Sequence, residues 1–229
     1  MGALREAFWA TLGLLPRDAW RALTWLGDSG LMLPIAAMLP VLLLRSPTGR
    51  RTALEWCVAF GIGGALIGIS KLAFIGWGIG SARWNFTGFS GHTAIATSVW
   101  SMVFWVMVAG RSPRVRLWAV VAGCALGALI GLSRLAIYVH SVSEVVSGFF
   151  LGVAIIAGFL VFGRLHAPPR LPWYLMLACL LLPLAFHAPG EAAPTQSLLE
   201  RIAVRLAGLE RPYTRQDMLQ GRLPVKKYP

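Results

Sequence analysis

Two short polar motifs interrupt a chain that is otherwise mostly apolar. The first is the segment Gly88–Thr93, of sequence GFSGHT, which stands at the start of an apolar run. Free backbone N–H groups and the positive end of the helix dipole make such a position suitable for an anion. Its two glycines let the backbone approach a ligand closely, and Ser90 and Thr93 add hydroxyl donors. A simpler interpretation is that one of these hydroxyls only caps the helix.

The second motif supplies groups that can attack a substrate or transfer a proton. Ser133-Arg134 is followed by His140, and Glu144 comes four residues after that histidine. A carboxylate at this spacing can hold one ring nitrogen and leave the other as a base or a nucleophile. Ser141 and Glu144 also fit a helix capping box, and both roles are compatible if the carboxylate is shared.

Two cations accompany these motifs. Lys71 interrupts an apolar run that begins at Gly61 and ends at Ile75, and Arg134 stands at the C-terminal end of another run. Either side chain could simply extend to the membrane surface. A lysine ammonium and an arginine guanidinium are also the groups that bind phosphate best, so an anion site is the alternative.

The elements that must position these residues are membrane-spanning helices. The chain of 229 residues is 57% hydrophobic and 13% charged, against about 25% charged in soluble domains. Its apolar runs predict an all-α, polytopic transmembrane helical bundle of about six spans. We place the spans at 23–44, 53–75, 93–109, from the link 111–116 to 132, at 144–163 and at 171–187.

The two ends of the chain differ from its centre in their pattern of charged and apolar residues. Residues 1–30 carry charges between apolar residues at helical spacing, and so does the tail 188–229. Both patterns predict amphipathic helices in the membrane interface. We therefore expect one domain over 1–229, with a spanning core at 31–187.

The distribution of positive charge predicts the orientation in the membrane. The net charge is +12, yet the cations stand in short links between apolar runs rather than in a basic module for nucleic acid. The links 45–51, 111–116 and 164–170 together hold eight Lys or Arg residues. The positive-inside rule places these links in the cytoplasm and both polar motifs on the opposite face, toward the periplasm or exterior of a bacterial inner membrane.

In this order and on these spans, the motifs resemble the type 2 phosphatidic acid phosphatase (PAP2) superfamily of membrane lipid phosphatases. The resemblance covers about 71–144 and implies that His140 attacks phosphorus and becomes phosphohistidine. Glu144 would orient it and His92 would protonate the leaving oxygen. The groups that would hold the phosphoryl oxygens are Lys71, Ser90, the Gly91 amide and Arg134. No metal or other cofactor is implied.

The chain departs from the family pattern at three positions. The first motif usually reads Lys-x6-Arg-Pro, whereas Gly78 is the seventh residue after Lys71, and Arg83 is the nearby candidate for the missing arginine. Phe89 replaces the usual proline before Ser-Gly-His. Glu144 replaces the usual aspartate and is one methylene longer, which requires a small shift in helix position.

The expected substrate is a lipid phosphate or pyrophosphate: a phospholipid, a polyprenyl phosphate or a lipid A phosphate. No obligate protein partner is expected. Three alternatives remain open at this point. The same chemistry would serve a lipid phosphotransferase, and a non-catalytic binder of anionic lipids would explain the charge. The sequence Gly88-Phe89-Ser90-Gly91 also matches the Gly-x-Ser-Gly of rhomboid-like intramembrane proteases, in which Ser90 would be the nucleophile and His140 its base.

Overall fold

The structure, a computed structural model, describes residues 6, 9–10, 12–13, 15–163, 169–186 and 195–227. The protein is all-α, as predicted; it is 75% helical, and the described residues form no β-strand. We number the helices of these ranges in chain order: α1 (Arg17–Trp25), α2 (Ser29–Leu43), α3 (Gly49–Trp77), α4 (Gly91–Met107), α5 (Pro113–Ala136), α6 (Val142–Phe162), α7 (Trp173–Phe186), α8 (Thr195–Ala207) and α9 (Arg215–Leu219).

Four stretches of the described chain are long and apolar enough to cross a membrane: Arg17–Leu43, Gly49–Trp77, Pro113–Ala136 and Val142–Phe162. They correspond to the first, second, fourth and fifth predicted spans. The third and sixth predicted spans are helices of only 17 and 14 residues, or about 26 and 21 Å at 1.5 Å per residue. The predicted number of six spans is therefore not confirmed, although each predicted span does contain a helix.

Local sequence signals set the helix ends near the site. Asp28 caps α2 by accepting a hydrogen bond of 2.8 Å from the Gly30 N–H. Ser141 and Glu144 form the predicted capping box at the start of α6. Gly78 ends α3 with a left-handed φ of 69°, a conformation that glycine adopts without the steric cost of a Cβ atom.

The central helix is α4, and small residues on its neighbours allow close packing around it. A methyl group on Gly123 or Gly127 of α5 would overlap the α4 backbone at Ser101 and Thr97, respectively. On α6, a methyl group on Gly148 would lie 2.7 Å from the Ser90 carbonyl oxygen. Close approach through small residues is the usual way in which membrane helices associate. It brings the starts of α4 and α6 together at one end of the bundle.

Pro34 and Pro40 lie inside α2 and do not break it. A proline at position 40 has no N–H to donate to the carbonyl four residues earlier, which is that of Ala36. Trp56 of α3 donates its indole N–H to this Ala36 oxygen at 3.0 Å. A neighbouring helix therefore satisfies the carbonyl that the proline leaves free.

The C-terminal segment, which we define as residues 195–227, packs on the bundle. Its helix α8 lies against α3, and a small apolar cluster joins the two parts through Phe74, Ile75, Ala203, Tyr213 and Met218. The Tyr213 N–H also donates to the Ile75 carbonyl oxygen at 3.1 Å. We predicted an interfacial helix in this tail; the structure shows helices there and places them over the end of the bundle where the polar motifs lie.

Candidate active site

A cavity of about 540 Å³ opens at the end of the bundle where α3 and α5 end and where α4 and α6 begin. Four of the predicted site side chains line it: Lys71, His92, Arg134 and His140. The Gly91 backbone lines it as well. Its deeper wall is apolar and consists of Leu33, Ile67 and Ile95. The motifs that are separated in the sequence therefore meet at one place, next to an apolar surface.

His140 and Glu144 form the predicted pair. The His140 Nδ1 atom lies 2.8 Å from Glu144 Oε2, and the carboxylate is fully buried. His140 Nε2 makes no hydrogen bond to any residue in the described ranges, while the ring faces the cavity and is 14% exposed. Because a carboxylate holds Nδ1, the neutral ring carries its proton there and leaves the Nε2 lone pair available.

Glu144 accepts further hydrogen bonds that fix its position. Its Oε1 atom accepts from the Thr87 N–H at 2.8 Å and from the Thr87 hydroxyl at 2.5 Å. Its Oε2 atom accepts from the Ser141 N–H at 3.1 Å. The carboxylate is thus shared between the helix cap and His140, as the sequence suggested it could be. A buried carboxylate with this many donors is held in one orientation.

Arg215 of the C-terminal segment completes the surroundings of Glu144. Its Nη2 atom lies 2.8 Å from both carboxylate oxygens. Its Nη1 atom donates to the backbone oxygen of Asn85 at 3.1 Å and to the Asn85 side-chain oxygen at 2.7 Å. Asn85 adopts a left-handed φ of 50°, which asparagine tolerates better than most residues.

His92 has a carboxylate partner of its own. Its Nε2 atom lies 3.3 Å from Asp28 Oδ2, while Asp28 Oδ1 caps α2. Asp28 also lines the cavity. Asp28 is therefore placed to orient His92, so each histidine of the site has an acidic residue at one ring nitrogen.

The two predicted phosphate-binding cations reach the cavity. The Lys71 ammonium donates to the Gln196 side-chain oxygen of α8 at 3.2 Å. Arg134 donates through Nη1 to the Thr24 hydroxyl at 3.1 Å, and its buried Nε has no hydrogen-bond partner in the part of the chain that the structure describes. A guanidinium with a buried, unused donor beside the cavity is suited to an oxyanion.

Gly91 and Ser90 have different surroundings. Gly91 lines the cavity at the first turn of α4, and the side chain of the N-cap residue Ser90 accepts no hydrogen bond from the backbone of this turn. The Ser90 side chain is fully buried, and its Oγ lies 2.8 Å from the Thr93 Oγ1 atom. The backbone at this helix start is therefore available to an anion. The Ser90 hydroxyl points to the interior, which agrees neither with direct phosphate binding nor with a serine nucleophile beside His140.

The structure does not bring Arg83 to the site. Its side chain is exposed and lies over the Trp84 ring, 5.5 Å from the centroid, and Arg83 is not among the residues that line the cavity. The physical reason lies at Gly78, the position of the family's usual arginine. The left-handed turn there ends α3, so Arg83 lies in the following loop and not on the helix that carries Lys71.

Burial and charge act on His140 in opposite directions. Burial lowers the pKa of His140 below its ordinary value, and the hydrogen bond and negative charge of Glu144 partly oppose this effect. Arg134 and Lys71 lower it further by repulsion. The result is a ring that stays neutral, and thus nucleophilic, near neutral pH.

Three residues of this arrangement did not follow from the sequence motifs. Asp28 carried a usable signal, because an acidic residue just before an apolar helix is a typical N-cap. Thr87 lies immediately before the first motif but has no distinctive spacing. Arg215 lies in a basic tail with many similar residues, and nothing in its neighbourhood distinguishes it.

The comparisons with known proteins agree with this geometry. A model of the PAP2 superfamily matches residues 72–166, which include the Gly88–Thr93 motif and the pair His140–Glu144. A protein of Klebsiella pneumoniae described as "Uncharacterized 22.5 kDa protein in cps region" is 41% identical over 202 residues, which are 87% of this chain and 97% of that protein. No solved structure matches the chain significantly. The chain therefore belongs to the PAP2 superfamily, whose members are phosphatases that act on phosphoesters.

Proposed function

We propose that this protein is a membrane phosphatase that hydrolyses a lipid phosphate or pyrophosphate through a phosphohistidine on His140. The observation that carries the proposal is the cavity itself. A histidine held by a buried carboxylate, a second histidine and two cations line one space, and the deeper wall of that space is apolar. Such a space suits a phosphorylated head group with an alkyl chain beneath it.

The first step forms a P–N bond and breaks a P–O bond. The Nε2 lone pair of His140 attacks phosphorus, the leaving oxygen takes a proton from His92, and the dephosphorylated lipid departs. Lys71, Arg134 and the Gly91 N–H neutralise the charge that spreads over the three remaining phosphoryl oxygens. Glu144 stabilises the positive charge that His140 acquires.

The second step regenerates the enzyme. A water molecule gives a proton to His92, which is now a base, and attacks the phosphorus of phosphohistidine. The P–N bond breaks, inorganic phosphate leaves and His140 is neutral again. Proton transfer by a positioned side chain typically contributes about 10²–10⁴-fold to such steps.

The test is phosphate release by purified protein from a panel of phosphatidate, phosphatidylglycerophosphate, undecaprenyl pyrophosphate and lipid A. We expect release from at least one lipid, inhibition by vanadate and acid-labile ³²P on His140 after a rapid quench. His140→Ala should abolish both release and labelling. An active His140→Ala protein, or a wild-type protein inactive on every lipid, would contradict the proposal.

We further propose that the site faces the periplasm or exterior of a bacterial inner membrane. Ser46, Arg111, Arg116 and Arg170, which come from the three basic links, line one cavity at the other end of the bundle, and this clustering supports a cytoplasmic location for that end. A membrane-impermeant maleimide should label Arg83→Cys in cells with a permeabilised outer membrane, and Arg114→Cys only after lysis. The reverse pattern would overturn the orientation.

A further inference from the structure

We propose that Arg215 is a positioning residue for the pair His140–Glu144, so that docking of the C-terminal segment completes the active site. The inference deepens the proposed function, on which its catalytic part rests. Nothing in the PAP2 match extends to this residue, because the matched region ends at 166.

The hydrogen bonds of Arg215 are directed at the pair rather than at a substrate. One terminal nitrogen spans both oxygens of Glu144, and the other is held by the backbone and side-chain oxygens of Asn85. Both terminal nitrogens are therefore occupied by protein. A planar guanidinium fixed at one end by Asn85 can hold the carboxylate at a defined angle, which a lysine cannot do with one ammonium.

The C-terminal segment is fastened to the bundle by contacts that do not involve Arg215. The Tyr213 ring packs against Phe74 with centroids 5.4 Å apart, and the Tyr213 N–H bonds to the Ile75 oxygen. Within the segment, Arg211 forms a bidentate pair with Asp217 at 2.7 and 2.8 Å. A substitution at position 215 therefore leaves the attachment of the segment in place.

The charge of Arg215 matters because Glu144 is fully buried. An ionised carboxylate next to an imidazole favours the protonated ring, which has no lone pair with which to attack. A guanidinium on the far side of the carboxylate offsets part of its charge and so favours the neutral nucleophile. The charged and titratable groups that line the cavity with His140 are Asp28, Lys71, His92, Arg134, Glu200, Tyr213 and Arg215, and Glu144 contacts the ring directly. Among them, Arg215 contacts both carboxylate oxygens of Glu144.

The test measures the protonation of His140 directly. Diethyl pyrocarbonate modifies neutral imidazole, and mass spectrometry of the peptide gives the extent of modification of His140 at each pH. The proteins are wild type, Arg215→Met, Arg215→Lys and, as a control, Arg201→Met, which changes an exposed arginine of α8. We expect the midpoint to move to higher pH in Arg215→Met and to stay near the wild-type value in Arg215→Lys and in Arg201→Met.

Activity supplies the second measurement. Arg215→Met and Arg215→Lys should both lower kcat, by about 10–100-fold as for other residues that orient a reacting group, with little change in KM. An unchanged midpoint in both variants overturns the proposal. Equal shifts in both variants also overturn it, because the effect would then come from docking and not from charge. A wild-type protein without phosphatase activity would refute the proposed function, while the His140 titration would still decide the role of Arg215.

Discussion

Replacing Glu144 by glutamine tests whether the carboxylate organises the site. The change keeps the shape of the side chain and removes its charge. In the structure, Oε1 accepts two hydrogen bonds from Thr87 and Oε2 accepts one each from His140 and Ser141. Arg215 donates to both oxygens. Glutamine offers one oxygen and one NH₂ group in place of these two acceptors.

The magnitude follows from counting donors. If the NH₂ group takes the Oε2 position, it faces the donors of His140 and Ser141, and the histidine is forced into the tautomer whose Nε2 carries the proton. If it takes the Oε1 position, it faces the two Thr87 donors instead. Either way about two donors and Arg215 lose their acceptor, at about 1–3 kcal/mol for each unmatched buried group. An amide in place of the carboxylate of a Ser-His-Asp triad lowers kcat about 10⁴-fold.

We therefore expect Glu144→Gln to lower kcat by about 10²–10⁴-fold. The assay is release of phosphate from the best lipid substrate, with ³²P labelling of His140 as a check on the first step. Thermal unfolding in detergent is measured for each protein to check that the variant is folded. A Glu144→Gln protein that retains wild-type kcat would show that the hydrogen bonds to this carboxylate do not serve the chemistry.

Three further predictions use the same site. Glu144→Asp should lower kcat about 10-fold or more although aspartate is usual in the family, because withdrawal of the carboxylate by about 1.5 Å takes it out of hydrogen-bond range; equal kcat would refute this. Gly148→Ala should lower the free energy of unfolding by about 1–3 kcal/mol, because the new methyl group would lie 2.7 Å from the Ser90 oxygen. Gly158→Ala on the same helix is the control: its methyl group would have no atom within 4 Å, and the variant should unfold like wild type. On the acid side, activity should be lost only as pH falls below the ordinary histidine pKa of 6.5, because burial lowers the pKa of His140 and its neutral form is the nucleophile, and Glu144→Gln should move this acid-side loss to still lower pH; an acid-side loss centred above pH 6.5 would contradict the assignment.

Much of this arrangement could be predicted because the site residues stand at the ends of strongly apolar runs. The capping box at Ser141 and Glu144 fixes both the start of α6 and the spacing to His140, so one local pattern predicts the pair. Lys71 lies near the C-terminal end of the apolar helix α3 and Arg134 lies in the last turn of α5. A cation in such a position either reaches the membrane surface or serves a site. These patterns are local, and the helices then place the corresponding residues at one end of the bundle.

The parts that could not be predicted depend on contacts between distant residues. The number of spans is not confirmed, since α4 is short and rich in buried Ser and Thr that bond to the backbone of its own helix. The full burial of Ser90 depends on the close approach of α6, where a Cβ atom added to Gly148 would lie 2.7 Å from the Ser90 carbonyl oxygen. The contact between Arg215 and Glu144 joins residues 71 positions apart, and no periodicity in the tail indicates it.

Relatives of this chain should vary at positions 78 and 215 together. An arginine at position 78 would be strained at a φ of 69°, and its Cβ would press on Pro224 and Tyr213 at 3.3 Å. A chain with the family's usual arginine at this position would have to shift the C-terminal segment to make room for it, and its acidic residue would then need another counter-charge. The loss of an arginine from the first motif and the gain of one in the tail would then be a single coupled change in the history of the family. Relatives with an arginine at only one of positions 78 and 215 should be far more common than relatives with an arginine at both.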